Sequence, residues 1–107
     1  MHKPKNLKPF EKVYEIVKKI PEGKVMTYGQ IALRLNRIVS PKLVGWALHA
    51  NKDSNIPCHR VVDRNGRLAP NFAFDGWREQ RNRLLLEGVR FTDEMHVDLK
   101  KFLFRIP

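Results

Sequence analysis

Two helix-start signals, at Thr27 and Ser40, constrain the fold of this chain more than any other feature. Thr27-Tyr28-Gly29-Gln30 has the form of a capping box: a threonine hydroxyl accepts from a helical N–H, and a glutamine three residues on reaches back to the threonine N–H. Ile31, Ala32, Leu33 and Leu35 continue that helix. Ser40-Pro41 repeats the signal, with serine as N-cap and proline at the first helical position, where its missing N–H is no loss. Leu43, Val44, Ala47 and Leu48 follow. Two short helices joined by a link at about Asn36 to Val39 read as a helix-turn-helix. An ordinary helical hairpin within a core would show the same pattern.

Charge favours the first reading. Of 107 residues, 21 are Lys or Arg and 11 are Asp or Glu, a net charge of +10. An excess that large on so short a chain favours a polyanionic partner, nucleic acid first and an anionic membrane surface second. The alternative is a basic protein that is merely soluble. The length suits one domain and excludes a multidomain enzyme with its own large cofactor fold. Apolar residues make up 42% of the chain, enough for one core, which excludes a wholly disordered protein. No run of about 18 apolar residues occurs, so no membrane-spanning helix is expected. Met1-His2-Lys3-Pro4-Lys5 is basic but no apolar signal core follows, which makes an intracellular location, cytoplasmic or nuclear, the expectation.

Residues 1–8 read as a basic arm and 9–107 as the folded domain. Pro9 suits the start of a helix carrying Phe10, Val13, Tyr14, Val17 and Ile20 at helical spacing. Pro21 to Lys24 is a turn, Val25-Met26 a short extended link, and Asn51 to Pro57 a loop. Val61-Val62 is β-prone, Asp63-Arg64-Asn65-Gly66 is a turn, and Arg67 to Asp75 reads as a loop. Gly76-Trp77 opens a helix with Trp77, Leu84 and Leu85 on one face and Gly88 as its left-handed cap. Val97, Leu99, Phe102 and Phe104 in the tail complete the core. The fold class is therefore mostly α with short β elements: one small domain containing a helix-turn-helix.

Chemistry concentrates in Pro57-Cys58-His59-Arg60-Val61-Val62. Cys58 is the single cysteine, so no intramolecular disulfide and no CxxC metal motif is possible. A thiol attacks only as the thiolate, and a histidine oriented by a carboxylate is the usual activator. His59 is adjacent, and Glu87, at the end of the Trp77 helix, is the candidate carboxylate. Arg60 adds positive potential. Neighbours in an extended segment point to opposite faces, so a bridging water between Cys58 and His59 is the expectation. A small buried cysteine remains the plain alternative. Cys58, His49, His59 and His96 offer metal-binding atoms without paired ligand spacing, and no metal is expected.

In these residues, in Gly23-Lys24-Val25-Met26-Thr27-Tyr28-Gly29-Gln30-Ile31-Ala32, and in Val44-Gly45 with Asn51 after it, the chain resembles a known family. It is similar, over about residues 10–104, to the C-terminal domain of the O6-alkylguanine-DNA alkyltransferases and to their small relatives, the alkyltransferase-like proteins. The resemblance implies a winged-helix-like domain that docks its second helix in the minor groove of duplex DNA. A damaged guanine is rotated into a pocket, and its alkyl group passes irreversibly to cysteine without a cofactor. It implies Cys58 as acceptor, His59 as activator through a water, Glu87 as its orienter, and Tyr28 as the group that helps rotate the target phosphate or protonates the leaving base. It implies Gly45 as the place where the helix comes close to the DNA backbone and Asn51 as support for the loop before Cys58; Thr27, Lys42, Trp46, His49, Asn51 and Arg60 are candidate DNA contacts. Arg34, Arg64 and Lys24 are further candidate phosphate contacts. Bland readings stand beside these: Tyr28 as a core aromatic, Glu87 as a solvated helix end, Gly45 as a helix-packing residue.

The departures are informative. Lys42 stands where the family usually has an arginine finger, and Trp46 where a small residue is common, either packing inward or acting as a wedge against a base step. The stretch Arg67 to Asp75 lacks the glycine pair of the transferases. The helix from Gly76 to Glu87 and the tail from Val97 to Phe102 resemble the alkyltransferase-like branch, whose members generally have Trp or Ala where Cys58 stands and pass lesions to nucleotide excision repair proteins. Two functions follow: a monomeric single-use transferase acting on O6-alkylguanine in double-stranded DNA, or a sensor of such DNA whose cysteine is vestigial. A plain helix-turn-helix regulator is the third.

Overall fold

A computed structural model describes residues 7–70, 72 and 76–106. The expected basic arm lies outside the described residues as far as residue 6, as do positions 71 and 73–75 of the expected loop. Five helices and two two-residue strands follow in the order α1 (Leu7–Val17), β1 (Met26–Thr27), α2 (Tyr28–Arg34), α3 (Pro41–Ala50), β2 (Val61–Val62), α4 (Trp77–Leu86) and α5 (Leu99–Phe102). The mostly α class with short β elements is as the sequence indicates.

α1 begins at Leu7, two residues ahead of the start marked by Pro9. Proline is tolerated there because the first-turn N–H groups of a helix have no intrahelical partner. The Tyr14 hydroxyl donates to the Ala47 carbonyl at 2.6 Å and ties α1 to α3.

Both N-caps form. Thr27 accepts from the Gln30 N–H at 3.1 Å while Gln30 Oε1 accepts from the Thr27 N–H at 2.8 Å. Ser40 Oγ accepts from the Leu43 N–H at 3.0 Å, with Pro41 at the first helical position. Between the helices Asn36 and Arg37 are left-handed, with φ of 55° and 60°. The Arg37 N–H thereby reaches the Ala32 carbonyl at 2.9 Å and ends α2.

β1 and β2 pair in parallel, Met26 opposite Val61 and Thr27 opposite Val62. Alternation along these strands divides the core. Met26 and Val61 join the apolar cluster of α1, α2 and α3, with Val13, Val17, Ile31, Val44 and Ala47. Val25 and Val62 join a second cluster with Leu68, Leu84, Val89 and Val97. The tail closes both: Leu99 and Phe102 pack on the second cluster, Phe104 on the first, and Val25 exchanges backbone bonds with Phe102 and Phe104.

α4 corrects one expectation. Its inward face is Trp77, Gln80 and Leu84, whereas Leu85 is 45% exposed. A residue one position past Leu84 is turned about 100° around the helix, off the buried stripe. Buried Gln80 takes the inward place because all its polar atoms are used: Oε1 accepts from the Ala69 N–H, and Nε2 donates to the His59 and Val61 carbonyls.

Candidate functional site

The segment around Cys58 is a turn, and the expectation of an extended strand there is corrected. Pro57 has φ −79° and ψ 67°, an inverse γ-turn closed by the Cys58 N–H to the Ile56 carbonyl at 2.8 Å. A single 3-10 turn, Cys58–Arg60, follows and feeds β2. Tight turning, rather than strand alternation, sends the three side chains to different partners.

Cys58 is half-buried, and its Sγ accepts from Asn51 Nδ2 at 3.3 Å. Burial raises the thiol pKa, opposed first by the Asn51 hydrogen bond and also by the charge of Arg83. The thiol is therefore the resting form at neutral pH.

His59 turns away from that bond to Glu87, with Nε2 2.6 Å from Oε2. Glu87 is a hub. It accepts from Arg60 Nε at 2.9 Å and Arg60 Nη2 at 2.8 Å, and from the Gly23 N–H at 3.0 Å. Gly23 has φ +86°, a left-handed position that brings its N–H to the carboxylate. Burial alone would raise the Glu87 pKa, but the bonds from Arg60, His59 and Gly23 outweigh it and hold it at about 2. An ionised carboxylate only accepts, so His59 Nε2 carries the proton and Nδ1 is the basic nitrogen. Burial lowers the His59 pKa against the pull of Glu87, which keeps the ring neutral near pH 7. Glu87 is thus no solvated helix end.

Cys58 and His59 share one cavity of about 820 Å³ with Tyr28, Gly45, His49, Asn51, and with Phe72 and Arg83 across from them in sequence. Tyr28 opens α2 at the cavity wall, its pKa raised by burial and then by Asp63 and Cys58, so its hydroxyl stays a donor.

At the cavity runs one stripe of α3: Lys42, Gly45, Trp46 and His49, at helical spacing. Gly45 and His49 line the cavity itself. Trp46 is 58% exposed, so it does not pack inward, and Lys42 Nζ sits 5.5 Å from the centre of its ring. A Cβ on Gly45 would meet nothing within 4 Å, so helix packing does not require this glycine.

Three residues expected at DNA are engaged elsewhere. Thr27 is 8% exposed and its hydroxyl caps α2. Asn51 caps the end of α3 and faces the loop: Nδ2 donates to Asp53 O and Cys58 Sγ, and Oδ1 accepts from the Asp53 N–H. Arg60 is held by Glu87 and by the Ile20 carbonyl, so its charge is neutralised away from the thiol. The sequence reading also gave no role to Gln80, which anchors the cavity wall, or to Arg83, which lines it. Both lie on the Glu87 side of α4, Gln80 seven and Arg83 four residues before it, the spacing that marks a shared helix face.

Among the described residues no three metal-binding side chains cluster, and no helix is long and apolar enough to cross a membrane.

Residues 8–89 match the family model for the 6-O-methylguanine DNA methyltransferase DNA-binding domain. The chain is 37% identical to alkyltransferase-like protein 1 of Schizosaccharomyces pombe, over 90% of this chain and 94% of that protein. It is 44% identical to a methylated-DNA–protein-cysteine methyltransferase of Saccharolobus islandicus, over 87% of this chain and 61% of that protein. Against bifunctional methyltransferase/endonucleases it spans only about a third of the relative or less. The crystal structure of S. pombe Atl1 in complex with damaged DNA containing O6-carboxymethylguanine superposes with a TM-score of 0.79 at 30% identity, covering 99% of this chain and 100% of that one.

Proposed function

This chain belongs to the family of the 6-O-methylguanine DNA methyltransferase DNA-binding domain, and on that premise we propose that it binds O6-alkylguanine in duplex DNA and moves the alkyl group to Cys58. One observation carries the reading: a cavity large enough for a base has Cys58, His59 and Tyr28 on its wall and the exposed α3 stripe at its edge. The target atom is hidden in the stack, so the base must rotate out to meet the sulfur. Lys42, Trp46 and His49 contact the DNA, and Gly45 lets its backbone come close.

Attack follows from the protonation states. The Cys58 S–H proton passes through a water to His59 Nδ1, and Glu87 stabilises the imidazolium that forms. The thiolate attacks the alkyl carbon attached to O6. An S–C bond forms as the C–O6 bond breaks, and the electron pair stays on guanine. Tyr28 donates its hydroxyl proton to the leaving base and recovers it from His59 by way of water. The thioether does not revert, so each chain acts once.

The second reading is a sensor that binds the lesion without transfer and presents it to excision-repair proteins. Likeness to an alkyltransferase-like protein over nearly its whole length supports it, as does the raised pKa of the thiol. Both readings require lesion-dependent binding. Titration of O6-methylguanine and guanine duplexes tests it; equal affinity for the two would remove both and leave a plain DNA-binding protein. Alkylation of Cys58 then separates transferase from sensor.

A further inference from the structure

We propose that Arg83 gives the cavity a preference for O6 substituents that carry a carboxylate, an inference that rests on the lesion-binding reading above. Two arginines come near the Cys58 turn, and they differ in what they are free to do. Arg60 is spent on Glu87 and the Ile20 carbonyl. Arg83 lines the cavity beside Cys58 and His59. Among the described residues its carboxylate contact is Glu79, at 3.3 Å between half-exposed side chains. Such a surface pair contributes little and exchanges readily for a better partner.

Phe72 prepares Arg83 for that exchange. The guanidinium carbon lies 5.2 Å from the centre of the Phe72 ring, which also lines the cavity. Stacking on an aromatic face steadies the planar group while leaving its N–H edge available for a planar acceptor. A carboxylate fits that edge with two parallel hydrogen bonds.

Space and charge agree. About 820 Å³ is near the top of the range of small-molecule sites and exceeds what a purine with one methyl fills. With the first carbon of the substituent at Cys58, anything longer extends along the cavity wall. Lys52, on the facing loop, adds positive charge there. Among the described residues Asp53 is the acidic one of the lining, and its side chain already accepts from the Asn55 N–H.

The test separates charge from bulk. A Cys58→Ser chain is titrated with duplexes carrying O6-carboxymethylguanine, its neutral isostere O6-carbamoylmethylguanine, O6-methylguanine or guanine. The carboxymethyl duplex should bind about fivefold more tightly than the carbamoylmethyl duplex, the effect of a charge-assisted contact discounted for partial exposure. Arg83→Gln should bring that ratio to about one, and Arg83→Lys should restore part of it, because lysine keeps the charge without the fork. A ratio near one in the Cys58→Ser chain, or a ratio unmoved by Arg83→Gln, overturns the inference. So does an equal loss across all four duplexes, the signature of a phosphate contact. Failure of every lesion duplex to bind better than guanine would instead refute the lesion-binding reading on which the inference stands.

Discussion

Replacing Glu87 by glutamine should destabilise this protein in a way that depends on pH. The substitution keeps the shape of the side chain and removes the charge shared by His59, Arg60 and the Gly23 N–H. A carboxyl held at about 2 rather than 4.5 represents about 3 kcal/mol at neutral pH. Water at the partly open site screens some of this, which leaves about 2 kcal/mol. Arg60, with a side chain only 16% exposed, would also lose its counter-charge; the resulting penalty acts in the same direction. Because the folded pKa is depressed, the stabilisation is complete above the unfolded value of 4.5 and is lost as pH falls through the folded value of about 2. Urea unfolding of both proteins should therefore show a gap of about 2 kcal/mol at pH 5 that shrinks by more than half by pH 2.5. In thermal melts near neutral pH it corresponds to on the order of 10 °C. A gap below about 0.5 kcal/mol at pH 5, the size of an ordinary surface change, would refute the hub. A gap equally large at both pH values would show that ionisation of Glu87 is not its source.

Cys58→Ser should abolish alkyl transfer while lesion affinity, read by fluorescence anisotropy, stays within about tenfold; loss of both would count against the nucleophile. Asn51→Ala removes the hydrogen bond that lowers the Cys58 pKa, so the pH profile of iodoacetamide labelling should move to higher pH. An unmoved profile would show that this bond does not tune the thiol. Lys42→Ala should weaken discrimination between lesion and normal duplex in competition binding; unchanged discrimination would remove Lys42 from the finger role. Gly66 has φ +84°, and a Cβ there would stand 2.6 Å from the Val97 carbonyl, so Gly66→Ala should cost about 1–3 kcal/mol in chemical unfolding, whereas a neutral result would mean that the turn shifts freely.

Legibility followed range along the chain. The two N-caps, the left-handed Gly88 and the β-prone Val61-Val62 depend on near neighbours, and each stands where local chemistry puts it, while the extended link at Val25-Met26 runs into a strand over Met26–Thr27. The pairing of His59 with Glu87 spans 28 residues; the need of a cysteine-activating histidine for an orienting carboxylate points to Glu87 at the helix end, and the family resemblance implies the same pair. The loop support expected of Asn51 is present, while the partners that hold Arg60 and the Asn51 amide are not legible in residue type, which does not state which way a polar head turns. Their hydrogen-bond partners are Glu87 and the Cys58 thiol, set by tertiary packing. Thr27 was assigned twice, as a cap and as a DNA contact, and one hydroxyl in a buried position serves the cap. The burial of Gln80 is not legible in sequence because a glutamine inside a charged helix looks solvent-facing; the backbone of Ala69, His59 and Val61 gives it three bonds.

The central claim, that Cys58 accepts the alkyl group, is tested most directly by the intact mass of the protein after incubation with a duplex carrying one O6-methylguanine. Gain of one methyl, mapped to the Cys58 peptide and absent from Cys58→Ser, is the predicted result. An unchanged mass in a sample that binds the lesion tightly would contradict it and make this chain a sensor that retains a cysteine.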